Sequence, residues 1–271
     1  MDELNFEQPL ELILPVEKHI TLMLVGCGGT GSWLAPAVAR IGKILIERFN
    51  REVSIYFIDP DVVEEKNIYR QNFCAAEIEA NKAETLAQRH GLAWGIEINA
   101  MSRKYKDVIY SIRDLNHAIV IGCVDRTSAR VEIAESMQHH DMGAWLDCGN
   151  SESYGQILLG VKSSAKDLFS IPGKCGGLPL PSHQHPELVK EPEINKSVAQ
   201  PSSTLSCADM AMQDSQGLAI NQCMAAEAAD YLVRMLITKN LKKFATYIDL
   251  ESGTTRSKYI TEKAVQEYAK G

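Results

Sequence analysis

The sequence predicts an α/β chain, a doubly wound and mostly parallel sheet followed by a long crossover loop and a C-terminal helix plus hairpin. Three observations predict it. A short apolar run, Ile20 to Val25, ends in a glycine turn and opens a long helical pattern. Apolar, β-branched runs then alternate with helical stretches as far as Val161. Six of the ten prolines next crowd between Pro172 and Pro201, after which the composition turns Ala- and Met-rich. With 271 residues, 45% apolar and 23% charged, the chain sits near the globular average, which excludes disordered, collagen-like and disulfide-stapled classes. It is also long enough to bury a full core.

The elements follow in order. Ile20 to Val25 (ITLMLV) is a continuous apolar run of the kind buried in parallel sheets. Thr30 to Phe49 places Leu34, Val38, Ile41, Leu45 and Phe49 on one helical face. Val53 to Ile58 is a second strand and stops at Asp59-Pro60, where proline suits a strand end. Strand, helix, strand with a glycine turn at the first junction is a βαβ unit. Glu77 to His90 is rich in good helix formers. Ala118 to Val124 is a buried strand ending at Asp125, Ser128 to His139 is a helix, and Ala144 to Leu146 and Gln156 to Val161 are further strands. The proline-rich segment is a long loop of the length usually found in lids or binding loops. Cys207 to Lys239 is helical, and Phe244 to Leu250 and Thr254 to Ile260 flank a hairpin turn at Glu251-Ser252-Gly253. The expected organisation is one domain over 1–271: a nucleotide-binding part over 1–161, the crossover loop over 162–206, and the helix and hairpin over 207–271.

Lys plus Arg is 28 and Asp plus Glu is 35, a net charge of −7, which provides no basic footprint for nucleic acid. The acidic start MDELNFEQPLEL lacks the pattern of a secretory signal. No apolar stretch reaches the length of a membrane span, so a cytoplasmic protein is expected. Seven cysteines, none in a CxxC pair, disfavour a disulfide framework and the common zinc spacings.

Gly26-Cys27-Gly28-Gly29-Thr30-Gly31 is a GxGxxG placed after a strand and opening a helix, where glycines let the backbone approach a phosphate chain. Asp59 ends the next strand, where a carboxylate can accept ribose hydroxyls, 28 residues after Gly31. No Walker A lysine follows. This much suits a nicotinamide-dependent oxidoreductase as well as an ATP user. The next residues separate the two. Asp59-Pro60-Asp61-Val62-Val63 leads to Asn67-Ile68-Tyr69-Arg70-Gln71, to Lys82, and to Cys123-Val124-Asp125. A triphosphate tail needs cations that a dinucleotide does not: Arg70 offers a planar fork and Lys82 a mobile point charge. Asp125, at a strand end over the same crevice, can hold Mg²⁺.

GCGGTG, DPDVV, NxxRQ, K and CVD in this order resemble the ThiF/MoeB/HesA family, the ubiquitin-activating type of adenylating protein, over about Leu22 to Arg130 and again at the cysteine helix. The resemblance implies a Rossmann-like fold and use of ATP with Mg²⁺ to adenylate the C-terminal carboxylate of a small ubiquitin-like protein. It implies a nucleotide site of Gly26, Gly28, Gly29, Gly31, Asp59, Asp61, Asn67, Arg70, Gln71 and Lys82, with Asp125 on Mg²⁺. Arg70, Lys82, Asp125 and Cys207 carry the expected chemistry. The long first helix and AAEIEANKA look closest to the ThiF-like protein of the PRTRC gene system. Family members commonly form homodimers. Many carry zinc on paired CxxC motifs, which this chain lacks, so no zinc is expected. Relatives also often supply an N-terminal arginine to the γ-phosphate, and no arginine precedes Arg40 here. A catalytically degenerate nucleotide-binding adaptor therefore remains an alternative, as does the NAD-dependent oxidoreductase.

Cys207 opens a helix after a Pro/Ser-rich loop, a position that lowers a thiol's pKa and exposes it. A thiolate there can take the acyl group from the adenylate for transfer to a conjugating enzyme. Cys175, beside Gly176-Gly177, is the second candidate; Cys27, Cys123, Cys148 and Cys223 read as packing residues and Cys74 has no assigned role. His183 and His185, and the pair His139-His140, read as solvated or capping side chains.

Overall fold

The computed structural model describes residues 8–14, 19–112, 115–163, 167–190 and 207–268, with backbone alone over 207–218. In chain order the elements are β1 (Glu11–Leu12), β2 (His19–Val25), α1 (Gly29–Phe49), β3 (Glu52–Ile58), α2 (Lys82–Trp94), β4 (Asn99–Met101), α3 (Tyr105–Val108), β5 (Ile119–Gly122) and α4 (Thr127–His139). They continue with β6 (Ala144–Asn150), β7 (Tyr154–Val161), β8 (Lys174–Cys175), α5 (Pro181–Gln184), α6 (Cys207–Leu236), β9 (Lys243–Asp249), β10 (Thr254–Tyr259) and α7 (Glu262–Gln266).

Among the described residues the main sheet has eight strands in the order β10-β9-β7-β6-β5-β2-β3-β4. The strands β4, β3, β2, β5 and β6 are mutually parallel, and β7, β9 and β10 add an antiparallel wing. The chain therefore leaves β2 toward β3 on one side and returns to β5 on the other, and the crevice between the ends of β2 and β5 is where such folds bind ligands.

The period-two alternation of the strands divides the core in two. Leu22 and Leu24 of β2 point with Ile55, Ile121 and Leu146 toward α1, α2 and α6, where Leu34, Val38, Leu86, Met224 and Tyr231 pack. Met23 and Val25 point the other way with Val120 and Trp145, against Tyr105, Ile133 and Met137. Each fully buried Leu or Ile contributes roughly 1.5–3 kcal/mol.

Two expectations shift. The helix expected from Glu77 begins at Lys82, because Cys74 N–H donates to Glu77 Oε2 (2.8 Å) and closes a separate 3₁₀ turn over Ala75–Glu77. Asn81 then caps the real helix, its side chain accepting from Glu84 N–H at 3.0 Å. The crossover segment is not structureless where it is described. β8 pairs with β1, Pro181 occupies the first turn of α5, and Gln184 Nε2 donates to Leu159 O (2.9 Å) and Pro179 O (2.7 Å), which pins it to β7. Among the described residues no helix is long and apolar enough to cross a membrane.

Candidate functional site

The crevice begins where β2 ends. Gly26 has φ +87°, the left-handed region that favours glycine, and its N–H donates to Ile58 O (2.9 Å). A Cβ on Gly31 would stand 1.9 Å from Gly26 O, so the first turn of α1 lies directly on the glycine turn. Gly28 starts α1 without a capping side chain, and no acidic residue stands in the first turn. The N–H groups of this helix start are therefore left for an anion.

Asp59, 6% exposed, closes the turn from the side. Its Oδ2 accepts from Cys27 N–H (2.6 Å) and its Oδ1 from Asp61 N–H (2.8 Å). Burial pushes its carboxyl above the usual carboxylate range even though those two N–H groups pull the other way. Each oxygen keeps a lone pair for a further donor. Asn81 Nδ2 donates to Asp59 O (3.0 Å) and Asp61 O (3.1 Å), so the start of α2 is tied to the Asp59-Pro60-Asp61 turn. That tie places Lys82, 7% exposed, with its Nζ 3.8 Å from Asp61.

The segment between β3 and α2 folds back over α1. Asn67 Oδ1 accepts from Glu64 N–H (2.9 Å), and Asn67 O accepts from Arg70 N–H (3.1 Å) and Gln71 N–H (2.8 Å). Trp33 Nε1 of α1 donates to Arg70 O at 3.1 Å, fixing the loop. Gln71 is 7% exposed, its amide faces Gly28, and its Oε1 has no partner among the described residues. A buried unpaired polar atom beside a glycine turn suits a site whose ligand completes the hydrogen bonding. Asp125 stands exposed just past the end of β5. Magnesium on a nucleotide commonly uses one or two carboxylates and takes its other ligands from phosphate and water. A single exposed carboxylate at the crevice fits that chemistry. Among the described residues no group of three or more His, Cys, Asp or Glu is placed to hold a metal by itself.

A family model matches residues 17–264. The chain belongs to the ThiF family. No curated protein matches it by sequence. Among solved structures it is similar to PaaA (14% identity, TM-score 0.54) and to E. coli MccB with ATP (15%, 0.55), in each case over 89% of this chain and 64% of the other. It is also similar to E. coli MccB with AMPCPP and MccA (16%, 0.54, 89% and 63%). The ThiF-family chain thus spans less than two thirds of the length of these neighbours. At these identities the likeness concerns the fold.

Beside the expected residues, the ThiF-family chain gathers a polar cluster that the sequence patterns missed. Thr30 Oγ1 donates to Asn150 Oδ1 (3.0 Å), Asn150 Nδ2 donates to Asn221 Oδ1 (3.1 Å), and Asn221 is 5% exposed. A Cβ on Gly29 would stand 2.6 Å from Asn221 Oδ1, so α6 touches the nucleotide turn. A buried ion pair lies behind it: Arg130 Nε donates to Asp147 Oδ1 (3.1 Å) and Oδ2 (3.3 Å), and Asp147 is fully buried. A cavity of about 370 Å³ opens next to Asn150, along the antiparallel wing, with Arg130 at its inner end and Arg256 of β10 on its outer wall. One signal was available: Asn221 is the single asparagine of an Ala/Met-rich helix.

The cysteines sort by burial. Cys175, the second candidate nucleophile, is corrected to a structural thiol. It is fully buried by the β1–β8 pair, donates to Gly177 O (2.9 Å), and burial pushes its pKa up. Cys27 and Cys148 are buried, and Cys74 is exposed at the start of the 3₁₀ turn. Cys207 is the first residue of α6, and its side chain lies outside the described residues. It precedes Asn221 by 14 positions, about 21 Å of helix. His185 is not a solvated side chain: its Nδ1 meets Glu187 Oε1 and its Nε2 meets Tyr247 Oη, both at 2.7 Å. His140 packs edge-on against Tyr110, with ring centroids 5.5 Å apart.

Proposed function

We propose that this chain uses ATP to adenylate the C-terminal carboxylate of a small ubiquitin-like protein, and that Cys207 then accepts the acyl group as a thioester. The observation that carries the reading is the crevice itself. Glycines without room for side chains, a buried carboxylate with spare lone pairs, an unpaired Gln71 amide and the aimed Lys82 all meet at the start of α1. A carboxylate oxygen attacks the α-phosphorus, a C(O)O–P bond forms, and the bond to pyrophosphate breaks. Asp59 accepts ribose hydroxyls, while Gly26, Gly28, Gly29 and Gly31 admit the phosphates to the backbone. Asn67, Arg70, Gln71 and Lys82 hold the phosphate chain, and Asp61 orients Lys82. Asp125 would hold Mg²⁺, which supplies further charge neutralisation. Charge grows on the leaving pyrophosphate, so these groups bind the transition state better than the ground state.

In the second step the Cys207 thiolate attacks the adenylate carbonyl and AMP leaves. The roughly 21 Å of helix between Cys207 and Asn221 makes this a separate event: the helix start must approach the crevice after adenylation. A homodimer and a conjugating enzyme are the partners this reading entails. Support for ATP as the nucleotide comes from the crystal structure of E. coli MccB with ATP.

The test is ATP–pyrophosphate exchange in the presence of ubiquitin-like proteins encoded beside this chain. Stimulated exchange that Arg70→Ala abolishes and Asp125→Ala weakens supports the reading. Absence of exchange with every such partner, alongside tight NAD binding, sinks it, and Mg·ATP binding without exchange leaves the adaptor. Intact mass after reaction should show a thiol-sensitive adduct that Cys207→Ala removes.

A further inference from the structure

The cavity beside Asn150 has a regular floor. Three antiparallel strands supply two cross-strand rows, Tyr154–Asp249–Thr254 at the rim and Gln156–Tyr247–Arg256 one pleat inward. The floor starts at the end of β6, next to the nucleotide turn, and runs across the strands to the edge strand β10. Leu188 and Arg130 form its other walls.

The charges on this floor are unequal. Arg130 is neutralised by Asp147. Asp249 is anionic, but its carboxylate already accepts from Glu251 N–H, Ser252 N–H and Ser252 Oγ, and these bonds hold its pKa below the usual range. Among the described residues no side chain hydrogen-bonds to or ion-pairs with the Arg256 guanidinium, and it stands exposed on the wall. We propose that Arg256 is a specificity residue: it reads an acidic side chain upstream of the carboxylate that is adenylated. The inference rests on the adenylation reading for the direction of the chain in the groove.

The spacing sets which position is read. Neighbouring strands lie about 4.8 Å apart, so β10 is about 14 Å from β6 and about 19 Å from β5. An extended chain advances about 3.4 Å per residue, so that span holds about four to six residues. A tail with its terminal carboxylate between the ends of β5 and β6 therefore brings a residue about four to six positions back to Arg256. A carboxylate side chain there makes a forked pair with the guanidinium, and a lysine meets like charge.

The probes are two fluorescein-labelled peptides about ten residues long, each ending in Gly-Gly with a free carboxylate. They are identical except for glutamates or lysines at the three positions nearest Arg256. Anisotropy with the full chain, without ATP, should show the glutamate peptide binding about tenfold more tightly, since an attractive pair replaces a repulsive one. Arg256→Gln should reduce the preference below about twofold, and Arg256→Glu should reverse it. Equal binding of both peptides, no binding of either, or a preference that survives in Arg256→Glu overturns the proposal. Pyrophosphate exchange is scored separately. A charge preference without exchange refutes adenylation alone, and exchange by a partner without the preference refutes the role of Arg256 alone.

Discussion

Gly29 and Gly31 both sit in the first turn of α1, yet alanine should do different things at each. At Gly31 the new Cβ would stand 1.9 Å from Gly26 O, and real Cβ contacts under 3.0 Å are essentially never seen. The obstacle is a backbone carbonyl whose own N–H is tied to Ile58 O, so no rotamer relieves it. Helix α1 must move by about 1 Å off β2, an overpacking that costs typically 1–3 kcal/mol and here the upper end of that range. Alanine's helical preference over glycine returns up to about 1 kcal/mol. The net loss is about 2–3 kcal/mol, or roughly 4–12 °C in Tm for a chain of this size. At Gly29 the obstacle is Asn221 Oδ1 at 2.6 Å, the end of a side chain that can rotate away. Its rotation gives up the bonds to Asn150 and Thr30, a loss of about 1 kcal/mol each, partly offset by the same helical gain. Urea denaturation followed by circular dichroism gives both values, and Gly29→Ala in an Asn221→Ala background isolates the contact. Gly31→Ala should be the worse variant, and Gly29→Ala should cost almost nothing once Asn221 is gone. If Gly31→Ala is as stable as the parent, the close approach of α1 to the glycine turn is refuted.

Three further outcomes follow from the same geometry. Arg130→Ala strands a fully buried carboxylate and should cost about 3–5 kcal/mol by chemical denaturation, with Arg130→Met/Asp147→Leu recovering most of it. Burial already raises the Asp147 pKa, and losing Arg130 raises it further, so the penalty should grow with pH and shrink where the carboxyl is protonated. His90 is held to a pKa of about 4 by burial and by Arg89, against 6.5 ordinarily. The unfolded chain therefore binds the proton more readily, and stability should be full above pH 6.5 and fall as pH drops toward 4; denaturation midpoints of His90→Asn should show a flatter acid limb. Asn221→Ala removes the amide that joins α6 to Asn150 and should cost about 1–3 kcal/mol, read as a lower Tm.

The parts of the fold legible in the sequence are those whose signal is local. The run ITLMLV and its glycine turn announce β2 and the start of α1, because buried parallel strands need continuous apolar residues and the turn needs φ of glycine at Gly26. β4 left no such trace: Asn99–Met101 is three residues long and holds its place by pairing with β3, not by composition. The start of α2 was blurred since Cys74–Ala80 has helical composition, although Asn81 followed by Glu84 at the third position was a readable cap. Arg130 and Asp147 are 17 residues apart on different elements, and nothing local links a charge to its buried partner. Cys175 stands second among the candidate nucleophiles for its place beside Gly176-Gly177, and it is the distant β1, paired with β8, that buries it.

The antiparallel wing ends at β10, the outer rung of the sheet, whose far side has no strand beside it among the described residues. A naked rung of backbone donors and acceptors is a template for fibril-like stacking. Here it is short and threonine-rich at its start, and its two cations, Arg256 and Lys258, are the third and fifth of its six residues. Two such rungs laid antiparallel would crowd four positive charges onto one short ladder. The guanidinium offered to an acidic tail thereby also serves as a gatekeeper against self-assembly. Neutralising it should be judged for aggregation as well as for selectivity.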